Sequence, residues 1–224
     1  MRTSATDQIF QYWQSLRRGD DIPRRLDVNP MDLKAILPKV FFLEQEPKDD
    51  TNTADFVSRQ RAVTFRLAGT DLCDTHMREL TRTAFRDIFI TKDRPVIDNE
   101  LKRVFEYREV KLLRTQVKSE FAFVEIETVV MPLINHGVCD RILGCQSFVT
   151  DRRSLWWKGS YPISGHSLLS VETISKGPSN VIGDPRLQPP AYEVPVLEFS
   201  RRNRRPDGRS VGHLVVIDGG AGAG

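Results

Sequence analysis

The sequence predicts an α+β fold: one five-stranded antiparallel sheet with helices on one face, N-terminal helices before it and an extended C-terminal tail. Three observations carry this. Strand and helix signals run in the order β-β, three helical pieces, β-β-β. The stretch "AVTFRLAG", residues 62–69, alternates apolar and polar side chains. The last three strand signals are joined by linkers short enough for antiparallel hairpins. A doubly wound nucleotide-binding fold would need strict alternation of strands and helices, and this order lacks it.

The elements follow in chain order. Ser4 and Asp7 have capping-box spacing, and Ile9, Tyr12, Trp13 and Leu16 then recur at helical spacing up to Gly19. A helix this short is marginal alone and must bury its aromatic stripe, on its own domain or on a second copy. Asn29 and Pro30 open a second helix with Leu33, Ile36 and Leu37 inward, and Pro38 ends it. "KVFFLEQE" reads as a strand, and the polar run after it as a loop. In "AVTFRLAG", Val63, Phe65 and Leu67 share one face. Residues 71–80 and 83–90 read as short helical turns, and 95–108 as a longer helix with Leu101, Val104 and Phe105 inward. "VKLLRTQV", "FAFVEIETVVMPL" and "RILGCQSFV" are the last strands. In the middle one, Glu125 and Glu127 share a face with Phe121, Phe123 and Val129. Paired carboxylates suit acid-base work, but a solvated or dimer-facing surface explains them better.

Three domains are expected: a helical flank at 1–38, the sheet domain at 39–150, and a largely irregular Pro/Gly/Arg-rich extension at 151–224. Trp156-Trp157 begins that extension as a packing pair or partner anchor. "HLVVID" near its end reads as a lone strand.

The net charge is +3 over 224 residues. Arg201 to Arg209 holds five Arg and one Asp, which is +4, so the rest of the chain carries −1. A domain of distributed basic charge is therefore disfavoured, and with it nucleic acid as partner. Three cysteines without a C-x-x-C pair, no leader pattern and no membrane-length apolar run fit a soluble cytoplasmic protein. No phosphate loop, Gly-x-Ser-x-Gly or His-Glu-x-x-His is present. An enzyme is not expected.

Three stretches in this order carry a family resemblance. The first is "DIPRRLDVNPMDLKAILPKVFFLEQE", with Pro23, Arg25, Asp27, Pro30, Leu37-Pro38 and Leu43-Glu44. The second is "FRLAGTDLCDTHMREL", with Arg66, Gly69-Thr70 and Arg78-Glu79-Leu80. The third is "MPLINHGVCDRILGCQSF", with Pro132-Leu133, Gly137 and Arg141 to Gly144. Together they resemble a PAS domain, in particular the stand-alone bacterial PAS-type family once labelled a domain of unknown function. Where that family has an aromatic-Gly pair before Arg-Glu-Leu, this chain has His76-Met77.

The resemblance implies a sensory or regulatory module acting through protein contacts, with a cavity between sheet and helices open to a small ligand. Phe65, Leu67, Cys73, His76, Phe89, Ile126 and Cys145 are the candidates for the cavity. Ile9, Tyr12, Trp13 and Leu16 are the candidates for a dimer or partner surface. The cofactor is unknown. Haem is disfavoured because residues 95–108 contain no histidine, and flavin because Cys73 lies in Leu-Cys-Asp-Thr and not in Asn-Cys-Arg-Phe. Cys73 and His76, one helical turn apart, are too few for a metal site. Two rivals stand beside this reading. One is nucleic-acid or anionic-surface binding through Arg201, Arg202, Arg204, Arg205 and Arg209. The other is a small enzyme using Cys73 or His76.

Overall fold

The computed structural model describes residues 3–19, 21–45, 62–118, 123–149 and 165–175. The chain divides into two units, Met1–Ala191 and Tyr192–Gly224, and all described residues belong to the first. The arginine run, Trp156-Trp157 and "HLVVID" lie outside the described residues.

Six strands form one antiparallel sheet: β1 Val40–Gln45, β2 Val63–Ala68, β3 Val110–Lys118, β4 Phe123–Asn135, β5 Val138–Phe148 and β6 Ser167–Ser175. Their order is β2-β1-β5-β4-β3-β6. The α+β class and the antiparallel meander β3-β4-β5 are as the sequence predicts. His136 and Gly137, both with positive φ (49° and 82°), make the two-residue turn between β4 and β5.

The sixth strand is additional. It comes from the extension expected to be largely irregular, and it pairs with the free edge of β3. Its signal is broken by a bulge. Arg114 pairs with Ser170 but Thr115 with Leu168, so Leu169 is an extra residue. The inward side chains Leu168 and Val171 are then three apart, which hides the strand period of two.

Both faces of the sheet are covered. On one lie helix α2 Thr70–His76, helix α3 Arg94–Glu106 and the 3-10 turns Phe85–Ile88 and Thr91–Asp93. They pack Leu72, Phe85, Ile88, Ile97 and Leu101 against Phe41, Phe65, Leu113, Val130 and Ile142. On the other lies helix α1 Ser4–Ser15, which packs Ala5, Ile9 and Trp13 against Val40, Val129, Met131 and Leu143. Its cap is Thr3, one residue before the expected Ser4, whose Oγ1 accepts from Thr6 N–H at 3.3 Å. Asn29 caps as expected, its Oδ1 accepting from Met31 N–H at 3.1 Å, but only a 3-10 turn, Pro30–Leu33, follows.

The dimer-surface candidates are corrected here. Ile9 and Trp13 are fully buried in the chain's own core, and Tyr12 and Leu16 pack half-buried at its margin. Trp13 Nε1–H also donates to the Pro132 carbonyl at 3.0 Å, so this stripe is spent within the molecule. Glu127 is corrected too. It is fully buried, not solvated, and accepts from Thr3 N–H and, at 2.6 Å, from Thr6 Oγ1. It anchors the N-terminal end of α1, where a carboxylate suits the helix dipole. Glu125 on the same strand face stays exposed.

Candidate functional site

The corner "RLAGTDLCDTH" sets one wall of the site. Gly69 N–H donates to the Val40 carbonyl at 2.8 Å, which pins the end of β2 to the start of β1. A Cβ on Gly69 would collide with the Pro38 carbonyl, so no other residue fits this close approach. Helix α2 starts at the next residue and turns Leu72 and Thr75 inward. Met77 ends it in the left-handed conformation, φ 50°. That is the position where the resembling family carries glycine, and it is the usual C-terminal stop of a helix. Glu79 then accepts from Thr81 N–H and Oγ1 at 2.9 and 2.7 Å, and Leu80 is fully buried. The Arg-Glu-Leu stretch is a turn with one plug in the core.

The floor is aromatic. Phe41 meets Phe65 edge-on at 5.6 Å and stacks on Phe85 at 5.7 Å, and Phe85 meets Phe89 at 5.3 Å. Gly144 makes room for this: a Cβ there would occupy the Phe41 ring. Beside the phenylalanines lies a polar group. His76 from the end of α2 stacks on His166 from the arm before β6, with ring centroids 5.1 Å apart and planes 17° apart. His166 Nδ1 lies 3.0 Å from Thr115 Oγ1 of β3. Gln146 of β5 hydrogen-bonds the His76 ring and, through Nε2, donates to Thr128 Oγ1 at 3.3 Å. The Nε2 atoms of both histidines are buried and have no hydrogen-bond partner among the described residues.

Burial governs the titration of these groups. It holds His76 down at about 4, helped by the Arg78 charge and opposed by the Gln146 hydrogen bond. It holds His166 down at about 3, with His76 adding to the effect. Both imidazoles are neutral at ordinary pH. Among the described residues no three His, Cys, Asp or Glu side chains gather so as to hold a metal ion. Burial also raises the thiols, Cys139 to about 11 and Cys145 to about 12, and Cys73 upward with Glu79 and Asp74 adding to it. None is prepared as a thiolate nucleophile, so the small-enzyme rival gains nothing from Cys73.

The cavity candidates divide. Phe65 and Phe89 are buried in the aromatic floor, and Cys73 packs at its edge. Ile126 lines a small cleft together with Asp71, Leu72, Thr75 and Gln146, with room for about one water molecule. Leu67 is a correction: it is 46% exposed. Leu43 pairs with Phe65 but Phe42 pairs with Leu67, so Arg66 is a bulge residue and Leu67 turns to the other face. Cys145 is the second correction. Gly144 takes the position under Phe41, so its neighbour Cys145 points to the α1 face, beside Val40 and Val129. His166 was missed. It lies past the last strand expected for the sheet, in a stretch without period, and only its buried ring gives it away.

The three quoted motifs meet in space. Glu44 of the first lies 3.0 Å from Arg141 of the third and 3.7 Å from Arg66 of the second. Ile134 N–H donates to the Pro23 carbonyl at 3.0 Å, again joining third to first. Motifs far apart in sequence thus fix one set of contacts, and the PAS-domain family profile matches residues 1–147, across all three. The chain belongs to the PAS-domain family. No curated protein matches the chain. As a PAS domain it is a sensory or regulatory module, and such domains are in general sensory and not enzymatic. Among the described residues of this PAS domain no helix is long and apolar enough to cross a membrane. The arm that brings His166 to the PAS core lies outside the matched residues.

Proposed function

We propose that this PAS protein is a cytoplasmic regulatory module whose output is a contact with another protein. The observation that carries the reading is a set of exposed leucines on motif residues. Leu26 is 84% exposed and follows Arg25, whose guanidinium lies 4.6 Å from the centre of the Phe42 ring. Leu67, thrown outward by the β2 bulge, pairs with that same Phe42. An exposed leucine next in sequence to the covering arginine, and another paired with the ring it covers, suit an apolar partner surface. A small ligand would bias the module by binding one conformation better than another. The cleft beside Ile126 and Gln146, which has room for about one water molecule, would have to widen to admit it.

Site-specific photocrosslinking in cells tests the contact. A photoreactive residue at Leu26 or Leu67 should give one discrete adduct of the same partner, and the same probe at exposed Glu172 on β6 should not. Equal adducts at all three positions, or none at Leu26 and Leu67, would refute the surface.

A further inference from the structure

The arm, residues 165–175, is fastened by its backbone at one end. His166 N–H donates to the Ile88 carbonyl at 2.8 Å, and the His166 carbonyl accepts from Ile90 N–H at 3.0 Å. Leu168 N–H donates to Asp93 Oδ2 at 2.7 Å. Strand β6 then runs along β3, and Lys111 Nζ of β3 donates to Thr173 Oγ1 at 2.8 Å. Next to the fastened end the His166 ring turns inward and is fully buried, between His76 and Phe89 (ring centroids 5.1 and 5.6 Å). The arm therefore enters the core with a titratable side chain, and that side chain rests on a second one.

We propose that this stack is a proton-released latch: neutral His76 and His166 hold residues 165–175 on the domain, and protonation of the pair frees them. The proposal rests on the sensory reading of the domain and names protons as one of its inputs. A protonated imidazole in this place loses its hydration and finds no counter-ion. The charged groups around the pair are otherwise placed. On and just past α2 stand Asp71, Asp74 and Arg78, and Arg78 opposes a charge on His76. On the 3-10 turns, Asp87 pairs with Arg94 at 3.3 Å, and Asp93 is taken by Leu168 N–H. On β3, Lys111 is held by Glu100 and Glu109 at 2.8 and 2.7 Å. β5 offers only the neutral Gln146, and β6 carries Glu172 on its exposed side. Among the described residues neither imidazole forms an ion pair with an acid.

The direction follows from linkage. Both groups titrate lower in the closed arm, at about 4 and about 3, than at their ordinary 6.5. The closed form therefore binds fewer protons. Closure is fully favoured above the ordinary value, weakens as pH falls through it, and stops weakening once the closed-form values are passed. Each imidazole freed raises the opening constant about 10-fold between about pH 7.5 and about pH 5.5. That is about 10-fold for His166 alone and about 100-fold if His76 is freed with it. The window lies above the ordinary range of carboxylates.

Hydrogen exchange of the full chain at those two pH values, corrected for the intrinsic change in rate, reads the arm directly. The β6 amides that bond to β3 should show the rise, and those of β1, β5 and α1 should not. His166→Phe keeps a ring and removes that proton site, and should cut the rise about 10-fold, while His166→Phe with His76→Phe should abolish it. If His166→Phe does not fold, His166→Gln serves in its place. An unchanged opening constant in the wild type, an equal rise in β1 and β5, or a rise undiminished in His166→Phe would overturn the latch. Arm opening is the readout, so this test can fail while the protein-contact reading stands, and the reverse.

Discussion

The two faces of the sheet bury polar groups in different ways. Under α1 the buried carboxylate of Glu127 meets Thr3 N–H, the Thr6 hydroxyl and, at 3.7 Å, the Arg114 guanidinium. The Trp13 indole N–H meets the Pro132 carbonyl. On the helical face the phenylalanines are as well packed, but two imidazole nitrogens beside them have neither a hydrogen bond nor an ion pair among the described residues. Glu127 Oε2 under α1, also without a hydrogen bond, has instead the Arg114 guanidinium at 3.7 Å. Paired polar groups fix a packing. Unpaired ones leave it closer in free energy to another arrangement. On the latch proposal, the α1 face is the fixed side of this PAS domain and the helical face the responsive side.

Trp13→Ala should break the fixed side hardest. It removes a buried indole and strands the Pro132 carbonyl, at about 3–5 kcal/mol. Urea unfolding should report a large loss of stability with no dependence on protein concentration. A folded variant that differs only in oligomeric mass would mean that α1 belongs to an interface. Gly69→Ala comes next, on the responsive side. The new methyl meets the Pro38 backbone, which cannot step aside, at about 1–3 kcal/mol by overpacking. A melting temperature equal to wild type would show that the β2–α2 corner yields. Glu127→Gln should cost about 1–2 kcal/mol, because one charged acceptor for two donors becomes a neutral one. The loss should appear first as faster exchange of the α1 amides, and faster exchange at α2 instead would contradict the division of faces. Leu67→Ala should change stability by less than about 0.5 kcal/mol, as an exposed side chain does. A loss of the size expected for a core leucine would place Leu67 back in the cavity.

The sheet was legible from alternation in β2 and from unbroken apolar runs where both faces are core, as in Val40–Leu43. Phe65 and Ile126 sit on the apolar phase of their strands, and both are buried on the helical face. The failures fall where that periodicity is locally broken. Bulges at Arg66 and Leu169 each insert one residue, so Leu67 changed face and β6 went unread. Cys145 misled for another reason: the apolar side chain under the helices at that point is Phe41 of β1, and β5 contributes only the bare Gly144. Trp13 and Ile9 have the stripe of an interface helix and of a core helix alike, and only the place of α1 on the sheet separates them. His166 carries no local signal. Its meaning comes from Thr115, 51 residues earlier, and from His76 on a different element.

The charge state of His76 and His166 tests the contrast between the faces most directly. Imidazole carbon-proton NMR of the full chain, with the two signals identified by their loss in His76→Phe and His166→Phe, follows it through pH. Burial predicts that both rings stay neutral in the folded domain well below 6.5, toward about 4 for His76 and about 3 for His166. A midpoint near 6.5 for either ring would mean that it faces water, and would contradict the proposed responsive side.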